Sequence, residues 1–308
     1  MTAPHLVLAG GSGFLGQALA RHFRHLGYHI TILTRGQART TPEATFLLWD
    51  GQSVGAWAKA LEGATAIINL TGRSVSTRYT PEHRREIIAS RVDSVRVLDQ
   101  ALQYSRVPPS LWIQAGSLAI YGDAGSRLCD ESAPPGSGFP VETCIAWEDA
   151  FAATAFPQRK VLLRIGFVLD RDGGALEPLT NLTRLGLGGA AGNGEQYISW
   201  LHSADFNQLV AWCLTQSTAT SIYNATGPNP TTNREFMRVL RRVLHRPWSP
   251  PIPAFAVHVG AWGMRTEADL VLKGRRCVPA RLLTDGFTFT YPDLQDALEQ
   301  IAEGSVAK

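Results

Sequence analysis

The chain has 308 residues, long enough for one large domain or two small ones and for a sizeable core without disulfide or metal staples. Hydrophobic residues are 44% and charged residues 18%, a globular balance that excludes wholesale disorder. Net charge is +3, and the 25 Arg and 4 Lys are scattered rather than run together, which argues against a nucleic-acid or anionic-membrane partner.

In chain order, His5-Leu6-Val7-Leu8-Ala9 reads as a buried strand, and residues 14–26 set Leu15, Ala18, Leu19, Phe23 and Leu26 on one helical face. Ile30-Thr31-Ile32-Leu33, Phe46-Leu47-Leu48-Trp49 and Ala66-Ile67-Ile68-Asn69-Leu70 are the next strands. Thr80-Pro81-Glu82 opens a long helix with an N-cap, a first-turn proline and early negative charge. Ile88, Val92, Val95, Leu98 and Leu102 continue it at helical spacing. Leu111-Trp112-Ile113-Gln114-Ala115 and Val161-Leu162-Leu163-Arg164-Ile165 are the fifth and sixth strands. Near-continuous apolar strands alternating with helices predict an α/β fold, a doubly wound parallel sheet covered on both faces.

Beyond Ile165 the pattern loosens. The glycine-rich stretch 170–200 predicts loops with short elements, and helices start near Ser203 and Asn233. Ser221-Ile222-Tyr223-Asn224-Ala225 predicts a strand returning to the main sheet. From Pro247 the chain is proline-rich and reads as irregular until a helix near Asp293–Ile301. The expected division is a Rossmann-type dinucleotide-binding domain, 1–168 plus about 203–226, and a smaller substrate domain, about 169–202 plus 227–304. Cys129, Cys144, Cys213 and Cys277 form no CxxC pair and have no zinc-type partners, so free thiols and no metal are expected. A start without a leader pattern and the lack of a long apolar run predict a cytoplasmic protein without a membrane span.

The strongest motif is Gly10-Gly11-Ser12-Gly13-Phe14-Leu15-Gly16, where the first strand turns into the first helix. Gly10 permits the tight turn, Gly13 lets a pyrophosphate approach the backbone, and Gly16 lets helix pack on strand. The helix N-terminus then favours the phosphates. The second strand ends Leu33-Thr34-Arg35, where an NAD site would carry an acid, and the first acidic residue of the chain is Glu43. A guanidinium at Arg35 suits a ribose 2′-phosphate, so NADP(H) is the expected cofactor.

The glycine spacing resembles the short-chain dehydrogenase/reductase superfamily. Further segments resemble its extended, epimerase/dehydratase-like branch. Asn69-Leu70-Thr71-Gly72 is similar to the cofactor-contacting motif after the fourth strand, and Trp49-Asp50 to the adenine-contacting position. Ala115-Gly116-Ser117-Leu118-Ala119-Ile120-Tyr121 is similar to the segment carrying the catalytic serine, which the resemblance maps onto Ser117. Ser90-Arg91, Trp147-Glu148, Asp172-Gly173-Gly174 and the stretch Gly274–Tyr291 resemble the atypical sugar-nucleotide-epimerase-like subfamily. The resemblance implies a small-molecule substrate, a sugar nucleotide among the branch's usual ligands. It also points to a homodimer through helices 81–103 and 141–155.

One departure stands out. The superfamily's Tyr and Lys, four residues apart, fall on Pro140 and Cys144, and the chain has no Tyr-x-x-x-Lys anywhere. Such a pair normally shuttles the substrate's hydroxyl proton. Three readings follow. Another acid/base replaces the pair, with Tyr121, Glu142, Cys144 and His202 as candidates. Alternatively the chain is an NADP(H)-binding redox sensor or partner-binding module without chemistry. In the third reading the cofactor is only a folding ligand. Trp200, in a glycine-bounded loop, is the tryptophan expected to line a pocket.

Overall fold

A computed structural model describes residues 3–263 and 265–303; Met1, Thr2 and the expected domain end at Gly304 lie outside them. The strands are β1 (His5–Ala9), β2 (His29–Thr34), β3 (Arg39–Thr40), β4 (Thr45–Leu48), β5 (Ala66–Asn69), β6 (Leu111–Ser117) and β7 (Leu128–Cys129). They continue as β8 (Arg159–Ile165), β9 (Phe167–Leu169), β10 (Tyr197–Ile198), β11 (Trp200–His202), β12 (Ile222–Ala225), β13 (Thr231–Thr232) and β14 (Arg276–Cys277). The helices are α1 (Phe14–His25), α2 (Pro81–Gln103), α3 (Phe139–Ala152), α4 (Leu176–Arg184) and α5 (Ser203–Thr215). After them come α6 (Asn233–Val243), α7 (Ala254–Gly263), α8 (Asp269–Leu272), α9 (Ala280–Thr284) and α10 (Leu294–Glu303).

Eight strands make one sheet in the order β12-β8-β6-β5-β1-β2-β4-β3. All neighbours are parallel except the β3–β4 edge. The chain winds outward from β1 to β2 and β4, then restarts on the other side of β1 with β5 and β6. That reversal opens a crevice at the carboxyl ends of β1 and β5. The strands are apolar on both sides because both faces are covered. Leu6 and Leu8 pack with Leu19, Phe23, Ile30 and Ile32 on one face. Val7 and Ala9 pack with Leu33, Ile67, Val95 and Leu98 on the other. Each such side chain contributes roughly 1.5–3 kcal/mol on burial.

The start of α2 follows its sequence signal: the Thr80 hydroxyl accepts from the His83 N–H at 3.2 Å, with Pro81 in the first turn. Strand β12 joins the main sheet beside β8, as the run at 221–225 predicts. Four stretches expected as loop or irregular chain are helical instead, α4, α7 and the short α8 and α9. The sequence of α7, AFAVHVGAWG, is apolar almost throughout, so no 3.6-residue period announces it. Its Phe255, Val259 and Trp262 are exposed. Trp200 does not line a pocket: it is 1% exposed in a second core with Leu169, Leu176, Phe236 and Leu240. Its indole N–H donates to the Asn229 carbonyl at 2.9 Å.

Candidate functional site

The glycine turn lies at the crevice, between the end of β1 and α1. Gly10 has φ +70°, and a Cβ there would sit 2.8 Å from Thr71 Cα, so the turn demands glycine twice over. At Gly16 a Cβ would run into the Gly11 backbone, which fixes how closely α1 approaches the turn. Gly13 differs: a Cβ there would meet only the Gly10 carbonyl, at 3.8 Å, and otherwise open space. No side chain caps α1 and its first turn holds no acid. The N–H groups of Ser12, Phe14, Leu15 and Gly16 have no partner among the described residues. The Gln17 amide ties the turn by donating to the Gly11 carbonyl at 3.0 Å. The Phe14 ring lies against the glycines 173–174, since a Cβ at either would be 2.9 Å from it. Leu15 packs partly into the core beneath.

The neighbouring strand ends divide into open and committed groups. The Thr34 hydroxyl accepts from the Gly36 N–H at 3.1 Å and shapes the loop that presents Arg35. Arg35 is exposed, and its guanidinium has no hydrogen-bond or ion-pair partner among the described residues. Asp50 is committed locally: its carboxylate accepts from the Gln52 and Ser53 N–H groups at 2.8 and 2.9 Å and from the Ser53 hydroxyl. Those bonds, the Ser53 hydroxyl first, hold its pKa down to about 2. Asn69 is wholly buried and fully bonded, donating to Ser94 at 3.1 Å and Gln114 at 3.0 Å and accepting from the Thr71 N–H. It therefore braces β5 against β6 and α2, and its side chain does not reach the crevice. Ser90 is likewise occupied, accepting from the Arg73 N–H and donating to the Ile87 carbonyl, both at 3.0 Å. Leu70 donates its N–H to the Ala9 carbonyl at 2.9 Å. The Thr71 hydroxyl, beside Gly10, is buried without a partner.

At the end of β6, Ala115 and Gly116 are buried in the sheet. Ser117 is half-buried, and its hydroxyl accepts from the Ala119 N–H at 3.1 Å while its own proton stays free to donate. Tyr121 is not a free acid. It is 1% exposed, its phenol donates to Asn224 Oδ1 at 2.8 Å, and it accepts from Arg164 Nη1 at 2.8 Å. Arg164 in turn grips Glu148 at 2.9 and 2.8 Å. Burial pushes the Tyr121 phenol up to about 12. Glu142 is exposed on the outer side of α3, away from the buried positions Val141, Thr143 and Cys144. Burial also pushes the Cys144 thiol up to about 12. His202 caps α5, accepting from the Ala204 N–H at 3.0 Å, and its other nitrogen pairs with Gln300 at 3.0 Å. Burial lowers its pKa. Of the sequence's acid/base candidates, Tyr121, Cys144 and His202 are thus buried and Glu142 is exposed without a side-chain partner among the described residues, while Ser117 keeps an uncommitted hydroxyl proton at the end of β6.

The sequence reading missed the closed set Arg164, Glu148 and Asn224 that fixes Tyr121. The available signal was a guanidinium inside an apolar strand, Val161-Leu162-Leu163-Arg164-Ile165, which burial obliges to find a partner.

A parallel sheet with a free glycine turn at its switch point defines a dinucleotide-binding α/β protein. The NAD dependent epimerase/dehydratase family pattern matches residues 6–142, and the domain of unknown function DUF1731 matches 252–301. An Arabidopsis thaliana chloroplastic homolog of epimerase family protein SDR39U1 is 31% identical over 303 residues, covering 96% of this chain and 86% of that one. The crystal structure of human SDR39U1 (isoform 2) with NADPH superposes with a TM-score of 0.86 at 29% identity, covering 97% of this chain and 99% of that one. A nucleoside-diphosphate sugar epimerase from Corynebacterium glutamicum gives 0.78 at 25% identity, covering 98% of this chain and 59% of that one. The chain belongs to the NAD dependent epimerase/dehydratase family, among the epimerase family proteins of the SDR39U1 type.

Proposed function

We propose that this chain is an NADP(H)-binding, epimerase-like oxidoreductase with an atypical active site. The observation that carries the reading is the turn at 10–16: unpaired N–H groups on an uncapped helix, with open space at Gly13. The residues fit a dinucleotide. Ser12, Phe14, Leu15 and Gly16 would hold the pyrophosphate through backbone N–H groups, with Gly13 leaving the room for it. The orphaned Thr71 hydroxyl lies beside them, and the unpartnered Arg35 guanidinium would take the 2′-phosphate. The human relative's structure with NADPH supports the choice of NADP(H).

NADPH, when bound, supplies hydride chemistry. The chain's contribution is orientation: the Ser117 hydroxyl donates to a carbonyl or hydroxyl oxygen, and Tyr121 acts through the network that positions the end of β6. Pro140 and Cys144 stand where the family's phenol and ammonium would and supply neither group, so solvent delivers the proton and turnover is slow. The substrate is a small molecule, and the named sugar epimerase among its relatives supports a sugar nucleotide. The proposed division places the dinucleotide in 1–168 plus about 203–226 and the substrate against the remainder; the DUF1731 match at 252–301 fits the second part. Helices α2 and α3 are the proposed homodimer face. The four free cysteines suit the cytoplasm as the compartment, and no described helix is long and apolar enough to cross a membrane.

A second reading, cofactor binding without turnover, is favoured by one observation: Tyr121, Cys144 and His202 are all buried. Calorimetric titration of the purified chain with NADPH and NADH tests the shared claim, with NADPH expected to bind more tightly. A turnover panel of sugar nucleotides and small carbonyls then separates enzyme from binder. Oxidation of NADPH by any of them supports the first reading, and silence across the panel with NADPH still bound supports the second.

A further inference from the structure

Strands β7 and β14 form a two-stranded parallel sheet of their own, apart from the main sheet. They join distant parts of the chain: β7 follows the Ser117–Tyr121 segment, and β14 lies within the DUF1731 stretch. The ladder pairs Leu128 with Arg276 and Cys129 with Cys277. Leu128 and Arg276 are exposed, whereas both cysteines are 0% exposed. Register partners on adjacent strands point to the same face, so the two thiols face each other. Each is within hydrogen-bonding reach of the other. Adjacent strands run about 4.8 Å apart, within the roughly 4.4–6.8 Å between Cα atoms that a disulfide spans. The pair shares a small core with Leu118, Ile120, Tyr121 and Cys144.

The backbone around both sulfurs is fixed. The Asn224 side chain, whose Oδ1 accepts from Tyr121, donates Nδ2 to the Cys129 and Val278 carbonyls at 3.4 and 3.0 Å. The Val278 N–H donates to the Cys129 carbonyl at 3.0 Å, and the Ser199 hydroxyl accepts from the Cys277 N–H at 2.9 Å. We propose that Cys129 and Cys277 are a redox pair, oxidised by hydrogen peroxide to a disulfide that latches the DUF1731 part onto the segment after β6. Burial raises both thiols, Cys277 to about 12, and at Cys129 two guanidiniums, Arg127 and Arg275, oppose it. Cys129 is therefore the nucleophile. Its sulfur attacks a peroxide oxygen, an S–O bond forms as the O–O bond breaks, and the leaving hydroxide takes the Cys129 proton as water. The Cys277 sulfur then attacks the sulfenic sulfur. The S–S bond forms, the S–O bond breaks, and a second water carries off the Cys277 proton. The two thiols lose two electrons, and the peroxide is reduced to two waters. Access comes from opening of a ladder only two residues long.

The full chain is treated with hydrogen peroxide under native conditions, the remaining thiols are alkylated in denaturant, and the peptides are mapped by mass spectrometry. Wild type and Cys144→Ser should each lose two thiols to a Cys129–Cys277 bridge within one chain, restored by dithiothreitol. Cys129→Ser and Cys277→Ser should form no bridge. Oxidised wild type should melt about 5 °C or more above the reduced protein, because the bridge closes a long loop, and dithiothreitol should abolish the difference. A bridge through Cys144 or Cys213, a link between two chains, or sulfinic and sulfonic acids without a bridge overturns the pair. Four thiols that persist under peroxide in the native chain, yet oxidise in denaturant, overturn it as well. A bridge that leaves the melting temperature unchanged overturns the latch. Should a serine variant fail to fold, the wild-type map decides alone. None of these readouts uses NADPH, so failure here leaves the cofactor reading standing.

Discussion

At the phosphate end of the cleft, the N–H groups of Ser12, Phe14, Leu15 and Gly16 stand without partners, whereas at the chemistry end most polar side chains already have one. The difference has a physical origin. A helix always leaves its first N–H groups unpaired, so the end of β1 offers donors simply by turning into α1. Polar side chains buried at the end of β6 must satisfy one another or destabilise the fold, so Tyr121, Asn224, Arg164 and Glu148 close into a set. Binding capacity is therefore built from backbone, and reactivity is restricted to the few groups outside that closed set.

The largest test attacks the closed set. Glu148→Gln removes the charge opposite a guanidinium whose side chain is 9% exposed. We expect a loss of about 3–5 kcal/mol in denaturant unfolding, because an uncompensated buried charge remains. A loss below about 1 kcal/mol would show that the set behaves as an exposed pair.

The next test blocks the phosphate end. Gly13→Val places its side chain in open space in the free protein, so unfolding should hardly change, while NADPH affinity should fall about 100-fold or more, roughly 2.7 kcal/mol. Gly16→Val is the contrast: its Cβ meets the Gly11 backbone, and folded protein should be lost instead. Normal NADPH affinity in Gly13→Val places the phosphate loop elsewhere.

Arg35→Ala sharpens cofactor choice. NADPH binding should weaken by roughly 1.5–3 kcal/mol, the range of a charge-assisted bond, with NADH nearly unchanged. Equal losses for both cofactors in calorimetry remove Arg35 from the 2′-phosphate.

The smallest effect is expected at Ser117. Since its hydroxyl proton is uncommitted at the end of β6, Ser117→Ala should slow any NADPH-dependent turnover about tenfold, roughly 1.4 kcal/mol, with cofactor affinity preserved. An unchanged rate moves the chemistry away from the end of β6.

Much of the frame was legible. The runs at 5–9, 30–33 and 66–70 became adjacent parallel strands because period and apolar content already state that both faces are covered. The turn at 10–16 was readable because Gly10 and Gly16 answer to local demands, a positive φ and a helix–turn approach. Helix α7 was not, because an apolar segment beside prolines has no period to read. The roles of Asp50, Asn69 and Ser90 were less legible for a related reason: the same residue types serve a ligand or brace a loop. Only their partners, Ser53, Ser94, Gln114 and Arg73, distinguish the two.

The sequence by itself determined the parallel sheet, the glycine turn, the arginine in place of an acid after β2, and the missing Tyr-x-x-x-Lys. Each is carried by residues close together in the chain, whose spacing fixes their geometry. Tertiary structure alone decided that Tyr121 is locked by Arg164 and Asn224, 43 and 103 residues away, and that Cys129 and Cys277 face each other across β7 and β14. Whether a polar group is available depends on which partners the fold brings within about 3 Å of it, and local spacing carries no information about groups so distant in the chain.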